Sequence, residues 1–455
     1  MSPQLAYWEP EDRLFWAREG AQVARRNLLL SIPALLLSFA VWMVWSVVVV
    51  QLPHVGFRFT PNQLFWLAAL PGLAGGTLRL FFSFMVPMFG GRTWTALSTA
   101  ALLLPAVGLG VAVQDPTTGY PTFLVLALLA GIGGGNFASS MANISFFYPV
   151  ERKGAALGWN AGLGNLGVAL VQFAVPLVVA AAVFGTLGGS PQVWSDGTAT
   201  REVWLQNAGY VWVPFIVVAA IATWFGMDDL VPVRASIADQ AVIFVRRHTW
   251  RLAWLYLGTF GSFIGFAAGF PLVAETEFAG ADVGWYAFVG PLLGAFARPA
   301  GGFLADRYGG ARIALASFVA MALAVCTLLV LSGTGNYGVF LALFFVLFVA
   351  SGAGNGAVFQ MIPAAFVADR RRAYAGQPDA VARAMRDGTL EGAAALGLAS
   401  AIAAFGGFFI PKAYGTALAI TGTTSAALYP FLVFYLTCIA VTWWYYARPD
   451  AESPC

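Results

Sequence analysis

Long apolar runs alternate with short polar breaks along the whole chain. Twelve runs reach the roughly 20 residues that a helix needs to cross a bilayer. They fall at about 28–52, 63–89, 94–113, 122–149, 155–184, 208–226, 252–274, 284–304, 311–332, 337–366, 391–411 and 427–446. The pattern predicts an all-α membrane protein with twelve transmembrane helices. The first run follows a 27-residue segment rich in charged residues and is too long for the apolar region of a cleavable signal peptide. A polar stretch at 227–251 divides the spans into two sets of six. The expected organisation is therefore an N-terminal segment 1–27, a six-helix bundle 28–226, a linker 227–251, a second bundle 252–446 and a tail 447–455. A second polar stretch, Asp369 to Asp387, carries five Arg and reads as a long loop with a short surface helix.

Charge sets the orientation. Of the 24 Lys and Arg, Arg79 and Arg298 fall in mid-span, and Arg58, Arg201 and Lys412 fall in one set of alternate loops. All the others share the remaining loops and the two ends. Basic residues accumulate on the cytoplasmic side, so both termini are expected in the cytoplasm. Such charge runs are expected to serve topology and contact with lipid headgroups.

Composition removes most other classes. Hydrophobic residues make up 59% of the chain and charged residues 10%, against roughly a quarter in a soluble domain. A soluble enzyme is excluded on that ground. Two His and the distant Cys326, Cys438 and Cys455 offer no metal site and no disulfide framework. A net charge of +3 is too small for a nucleic-acid partner. The run Gly131–Gly135 lies within a span and lacks the Gly-Lys-Ser/Thr ending of a phosphate loop. No cofactor is expected.

The two halves share a register. Arg79 and Arg298 are each followed eleven residues later by a Gly pair, Gly90-Gly91 and Gly309-Gly310. The shift of 219 residues also carries Asn136 onto Asn355. This resembles the parallel repeat expected of the two halves of the major facilitator superfamily, which implies a substrate site between the halves near the midplane. The stretch Gly302-Phe-Leu-Ala-Asp306-Arg307-Tyr-Gly309-Gly-Ala-Arg312 resembles that superfamily's loop after the eighth span, which braces neighbouring helix ends. Asp306 is the acid expected to serve there. The corresponding N-terminal stretch, Met85 to Arg92, lacks it, so the brace is expected to be asymmetric.

Eleven helical residues span roughly 16 Å, about half of a 30 Å hydrocarbon core. Arg79 and Arg298 therefore start near the midplane. Every acid lies in a loop, a tail or at a span edge, with Glu391 at the start of the eleventh span the nearest exception. Each buried Arg costs about 3 kcal/mol or more to insert. Two like charges without an acid need another counter-ion, and a substrate anion is the simplest. Arg stays charged and presents a planar donor fork to oxyanions. The spacing alone does not separate nitrate from a small carboxylate.

The fourth span contains Gly133-Gly-Gly-Asn136-Phe137 and continues to Asn143. The fifth contains Gly158-Trp-Asn160-Ala-Gly162-Leu-Gly164-Asn165-Leu-Gly167. These stretches resemble the signature of the nitrate/nitrite porter family (NarK type). The likeness continues at Arg79 with Ser83 to Pro87, at Tyr256 to Phe266, at Arg298, and at Ser400 to Phe408 with Gly406-Gly407. It covers most of the chain. It implies that Arg79 and Arg298 clamp the anion, that Phe137 and Phe260 cover its two faces, and that Tyr256 and Asn165 supply polar contacts. Asn165 lies roughly 16 Å beyond Gly154, at the depth of the Arg pair; bonding to a neighbouring helix is the plainer role for such an Asn. Gly158, Gly162, Gly164, Gly406 and Gly407 are expected to allow close helix approach and sliding. Asn136 and Asn355 are expected to bond within or across the halves.

The resemblance implies a monomeric nitrate and nitrite transporter of the bacterial inner membrane, surrounded by lipid and working by alternating access. Nitrate-for-nitrite exchange is the leading reading, serving import of nitrate for reduction, because an empty site with two like charges is costly to reorient. Proton-coupled nitrate symport is the rival within the fold. It needs a titratable carrier, and His54, His248 and Glu391 all lie away from the midplane. A nitrate sensor would need a large soluble output domain, and the longest loops span some two dozen residues.

Overall fold

The computed structural model describes residues 4–5, 7–230, 242–278, 286–331, 335–377, 379–448 and 450–451. Arg234 and Asp239 of the expected linker, together with Asp282 and Cys455, lie outside them. Among the described residues, eleven helical segments are long and apolar enough to cross a membrane: Arg13–Gln51, Pro61–Phe89, Gly91–Ala112, Tyr120–Phe147, Val150–Val179, Asn207–Gly226, Arg247–Glu277, Gly310–Val330, Tyr337–Ala373, Ala380–Thr421 and Ser425–Ala447. The eighth expected span is the helix Val289–Tyr308, in which Arg298, Asp306 and Arg307 lower the apolarity. The protein is an all-α membrane protein.

Local chemistry sets the helix ends. Thr60 and Gln63 cap the second span reciprocally: the Gln63 N–H donates to Thr60 Oγ1 at 3.3 Å, and the Thr60 N–H donates to Gln63 Oε1 at 2.8 Å. Pro61 stands at the first helical position, where its missing N–H is harmless. Single glycines separate the second span from the third and the eighth from the ninth. Gly90 and Gly309 have φ of +88° and +93°, a region closed to most side chains. They stand 219 residues apart, so the repeat extends to backbone conformation.

Three boundaries differ from expectation. The stretch Asp369–Asp387 is mostly helical, because the tenth span runs to Ala373 and the eleventh helix begins at Ala380. Arg370, Arg371 and Arg372 occupy the last turn, where cations meet the negative end of the helix dipole. The seventh span begins at Arg247, which places His248 in a helix; it is buried, with Nδ1 3.1 Å from the Tyr446 hydroxyl. The first span begins at Arg13, capped by Asp12. An antiparallel hairpin, Gln192–Ser195 with Thr200–Val203, lies between the fifth and sixth spans. Asp196 closes its turn by accepting from the N–H groups of Thr198 and Ala199 at 2.8 and 2.7 Å.

The chain forms two compact units, Met1–Arg234 with Ala267–Phe288, and Ala235–Phe266 with Val289–Cys455. The seventh span thus contributes to both. Its later half belongs with the first unit, where Gln172 donates to the Ala267 carbonyl at 2.7 Å and Phe173 meets Phe288 edge to face. In the first unit, Phe39, Trp42, Trp45, Phe65 and Phe123 are fully buried. In the second, Tyr256, Phe260, Tyr414, Tyr435 and Tyr446 are.

Candidate functional site

Arg79 is held by a helix crossing that glycine makes possible. The second span passes the fourth at Gly75 and Gly134. A Cβ on Gly134 would stand 2.8 Å from the Gly75 Cα and 2.6 Å from Trp42 Cε2. With the backbones this close, the Gly134 carbonyl accepts from Arg79 Nε at 2.8 Å. The guanidinium carbon lies 4.5 Å from the Phe137 ring centroid and 5.2 Å from that of Trp42. Arg79 is 1% exposed. A charged hydrogen bond and two ring faces offset part of the desolvation of a buried cation. Trp42 was missed by sequence reasoning. The signal was available, because Trp belongs at membrane interfaces and this one lies deep in a span.

In the second unit the eighth span crosses the tenth in the same manner. A Cβ on Gly352 would stand 2.2 Å from the Gly294 carbonyl oxygen, and one on Gly356 2.0 Å from that of Arg298. Arg298 is buried, and its guanidinium carbon lies 5.2 Å from the Phe359 ring centroid. Its Nη1 has no hydrogen-bond partner among the described residues. Phe359 also escaped the sequence reading, because one Phe among many in a tenth span carries no mark of its own.

Tyr256 and Phe260 lie one helical turn apart and stack, with centroids 5.6 Å apart and planes 13° from parallel. The residues Leu257–Gly261 form a π-helical turn within the seventh span, a distortion frequent at functional sites. Phe359 touches both groups: its centroid lies 6.5 Å from that of Tyr256. The second unit therefore brings Arg298, Phe359, Tyr256 and Phe260 into one cluster, and the first brings Arg79, Phe137 and Trp42 into another. Asn165 is buried in the first unit, and its Oδ1 has no hydrogen-bond partner among the described residues.

The remaining sequence candidates take varied places. Asn136 donates to Ser38 Oγ at 3.0 Å and to the Ser98 carbonyl at 3.4 Å, tying the fourth span to the first and third. Gly164 and Gly406 are packed: a Cβ on Gly164 would stand 2.7 Å from Leu35, and one on Gly406 2.2 Å from the Gly261 carbonyl oxygen. Gly407 is also buried. Gly158 and Gly162 face open space within 4 Å. Asp306 is exposed. In the first repeat, which lacks an acid at that position, a carboxylate arrives from elsewhere. Asp229, just past the sixth span, accepts from the Arg92 N–H at 2.8 Å, from Arg92 Nε at 3.2 Å and from Thr93 Oγ1 at 3.2 Å. It caps the positive end of the third span. Among the described residues, no group of three or more His, Cys, Asp or Glu could hold a metal ion.

The sequence profile of the Major Facilitator Superfamily matches residues 34–377. The chain is 48% identical to the nitrate/nitrite transporter NarU of Salmonella typhimurium, over 98% of this chain and 96% of that one. It is equally similar to NarU of Escherichia coli. It is 38% identical to the probable nitrate/nitrite antiporter NarK2 of Thermus thermophilus, over 98% of this chain and 97% of that one. Among solved structures, a D-xylose-proton symporter shares the fold at a TM-score of 0.64 and 16% identity, covering 92% of this chain and 97% of that one. A bacterial homologue of the lysosomal transporter Spinster does so at 0.62 and 15%, covering 93% and 96%. Such a chain is a multi-pass protein of the bacterial inner membrane, and its relatives are transporters rather than enzymes. The chain belongs to the nitrate/nitrite porters of the NarK type within the major facilitator superfamily.

Proposed function

We propose that this protein exchanges nitrate for nitrite by alternating access, with both termini in the cytoplasm and with Arg79 and Arg298 as the cations that hold the anion. The observation that carries this reading is the pair of buried guanidinium groups at repeat-related positions, each against an aromatic ring. A planar oxyanion matches a guanidinium fork. Phe137, Phe260 and Tyr256 supply faces for its plane, and Asn165 supplies an amide.

The absence of a mid-span acid in the sequence favours exchange over proton symport. The carboxylate nearest to a span core is Glu391. Its Oε1 accepts from both Arg370 and Arg246, so that carboxylate is committed to two ion pairs. His54 lies past the first span, with Nδ1 3.0 Å from the Ser195 carbonyl oxygen. Reorientation of an empty site would carry two like charges through a closed state, and a bound anion lowers that cost. A one-for-one swap of monovalent anions moves no net charge.

The test uses purified protein in sealed liposomes. Labelled nitrate uptake is followed with nitrite, nitrate or an inert anion inside, with and without a pH gradient. Exchange requires uptake to depend on internal nitrite or nitrate and to ignore the gradient. Acid-driven uptake into vesicles holding only the inert anion would establish symport and overturn the exchange mechanism.

A further inference from the structure

We infer that Trp42 of the first span is a positioning residue for Arg79: it fixes the plane and depth at which that guanidinium meets the anion. The inference rests on the proposed role of Arg79 and extends it to a residue with no place in that reading.

Trp42 is wholly buried. Its Nε1 donates to the Pro71 carbonyl at 2.7 Å, eight residues before Arg79 on the second span. Two glycines close on its ring and a third on its Cβ. A Cβ on Gly75 would stand 2.8 Å from Nε1, one on Gly134 2.6 Å from Cε2, and one on Gly133 3.2 Å from the Trp42 Cβ. These glycines belong to the two helices that hold Arg79: the second span carries it, and the fourth presents the Gly134 carbonyl that binds Nε. The indole thus packs against the glycine crossing of the two helices and is bonded to one of them. Its face is also one of the two rings against the guanidinium.

No indole stands at the corresponding position of the second unit. The 219-residue shift carries Trp42 onto Gly261, and Arg298 has Phe359 against it. The two arginines are therefore held by different means, with Arg79 fixed by a ring, a carbonyl and the Trp42 anchor. A cation already aligned loses less freedom when the anion binds. Removal of the anchor should weaken anion binding more than it slows turnover.

The experiment compares Trp42→Phe, Trp42→Ala, Trp45→Phe and Arg79→Lys in the full-length protein. Apparent Kd for nitrate is read from nitrate-dependent thermal stabilisation, and KM and maximal exchange rate are measured in liposomes. Trp45 is a buried neighbour on the same helix, against Phe123, and controls for loss of a buried indole. Trp42→Ala should raise the nitrate Kd and KM about tenfold, the effect of losing a desolvated cation–ring contact. Trp42→Phe, which keeps a ring but loses the bond to Pro71, should raise them about threefold, with the maximal rate per folded protein within about twofold of wild type. Trp45→Phe should leave both constants unchanged. A lower yield or maximal rate with wild-type Kd in the Trp42 variants would overturn the inference, as would an equal rise in Trp45→Phe. A raised Kd in Arg79→Lys beside wild-type Kd in both Trp42 variants would refute only the positioning role. Wild-type Kd in Arg79→Lys would refute the site reading and this inference with it.

Discussion

The fifth helix carries two kinds of glycine, and Gly158→Ala/Gly162→Ala tests what the open kind is for. At Gly164 and Gly167 an added Cβ would meet Leu35 at 2.7 Å and the Leu36 carbonyl oxygen at 2.1 Å. At Gly158 and Gly162 it would meet nothing within 4 Å. The latter two lie four residues apart and so share one helix face. In the conformation described here they do no packing work, yet each sacrifices about 1 kcal/mol of helix propensity relative to Ala. Replacing both should therefore hold or raise thermal stability. If this face slides against another helix during transport, each new methyl meets a neighbour in some other conformation. Overpacking costs at least about 1 kcal/mol per site. Two sites give about 2 kcal/mol, or roughly thirtyfold slower exchange. The assays are thermal unfolding in detergent and nitrate/nitrite exchange in liposomes. Wild-type exchange by the double variant would refute the sliding role. A lower unfolding temperature would refute the assignment of these positions to open space.

Arg79→Lys and Arg298→Lys should each abolish or cripple nitrate exchange, because an ammonium cannot reproduce the planar fork; a wild-type rate in liposomes for either would remove that residue from the site. Asp229→Asn should lower the unfolding temperature by the equivalent of about 1–3 kcal/mol, because the buried carboxylate holds the third helix N-terminus and Arg92 through charged bonds. Asp306→Asn, at an exposed residue, should stay within about 0.5 kcal/mol, and equal effects of the two would refute the exchange of roles between repeats. Backbone bonds from Ala199 and Thr198, with the Thr198 hydroxyl, draw the Asp196 carboxyl down to about 2. The charged form is thus favoured in the folded hairpin. Its contribution is full above the ordinary carboxylate value near 4 and fades as pH falls toward about 2. Amide exchange at Thr198 and Ala199 should show it, and protection already lost at pH 6 would refute the turn assignment.

The chain's polarity pattern settled the fold class, because a bilayer interior admits only segments that satisfy their own backbone bonds. It also isolated Arg79 and Arg298, since two charges amid apolar runs at one repeat shift are visible without coordinates. Helix ends were less legible. The tenth and eleventh helices continue into the charged stretch after Asp369 because a hydrogen-bonded ladder does not stop where hydropathy does, and the triple Arg favours a helix C-terminus. Residues that act through contact could be found only after folding. Trp42, Phe359 and Asp229 lie far in sequence from the groups they touch, and no spacing rule connects them. The glycines show the division most clearly. Their number and stretches mark close helix approach, but whether a given one lacks a side chain to clear a neighbour, as at Gly134, or faces open space, as at Gly158, is decided by what the fold places beside it.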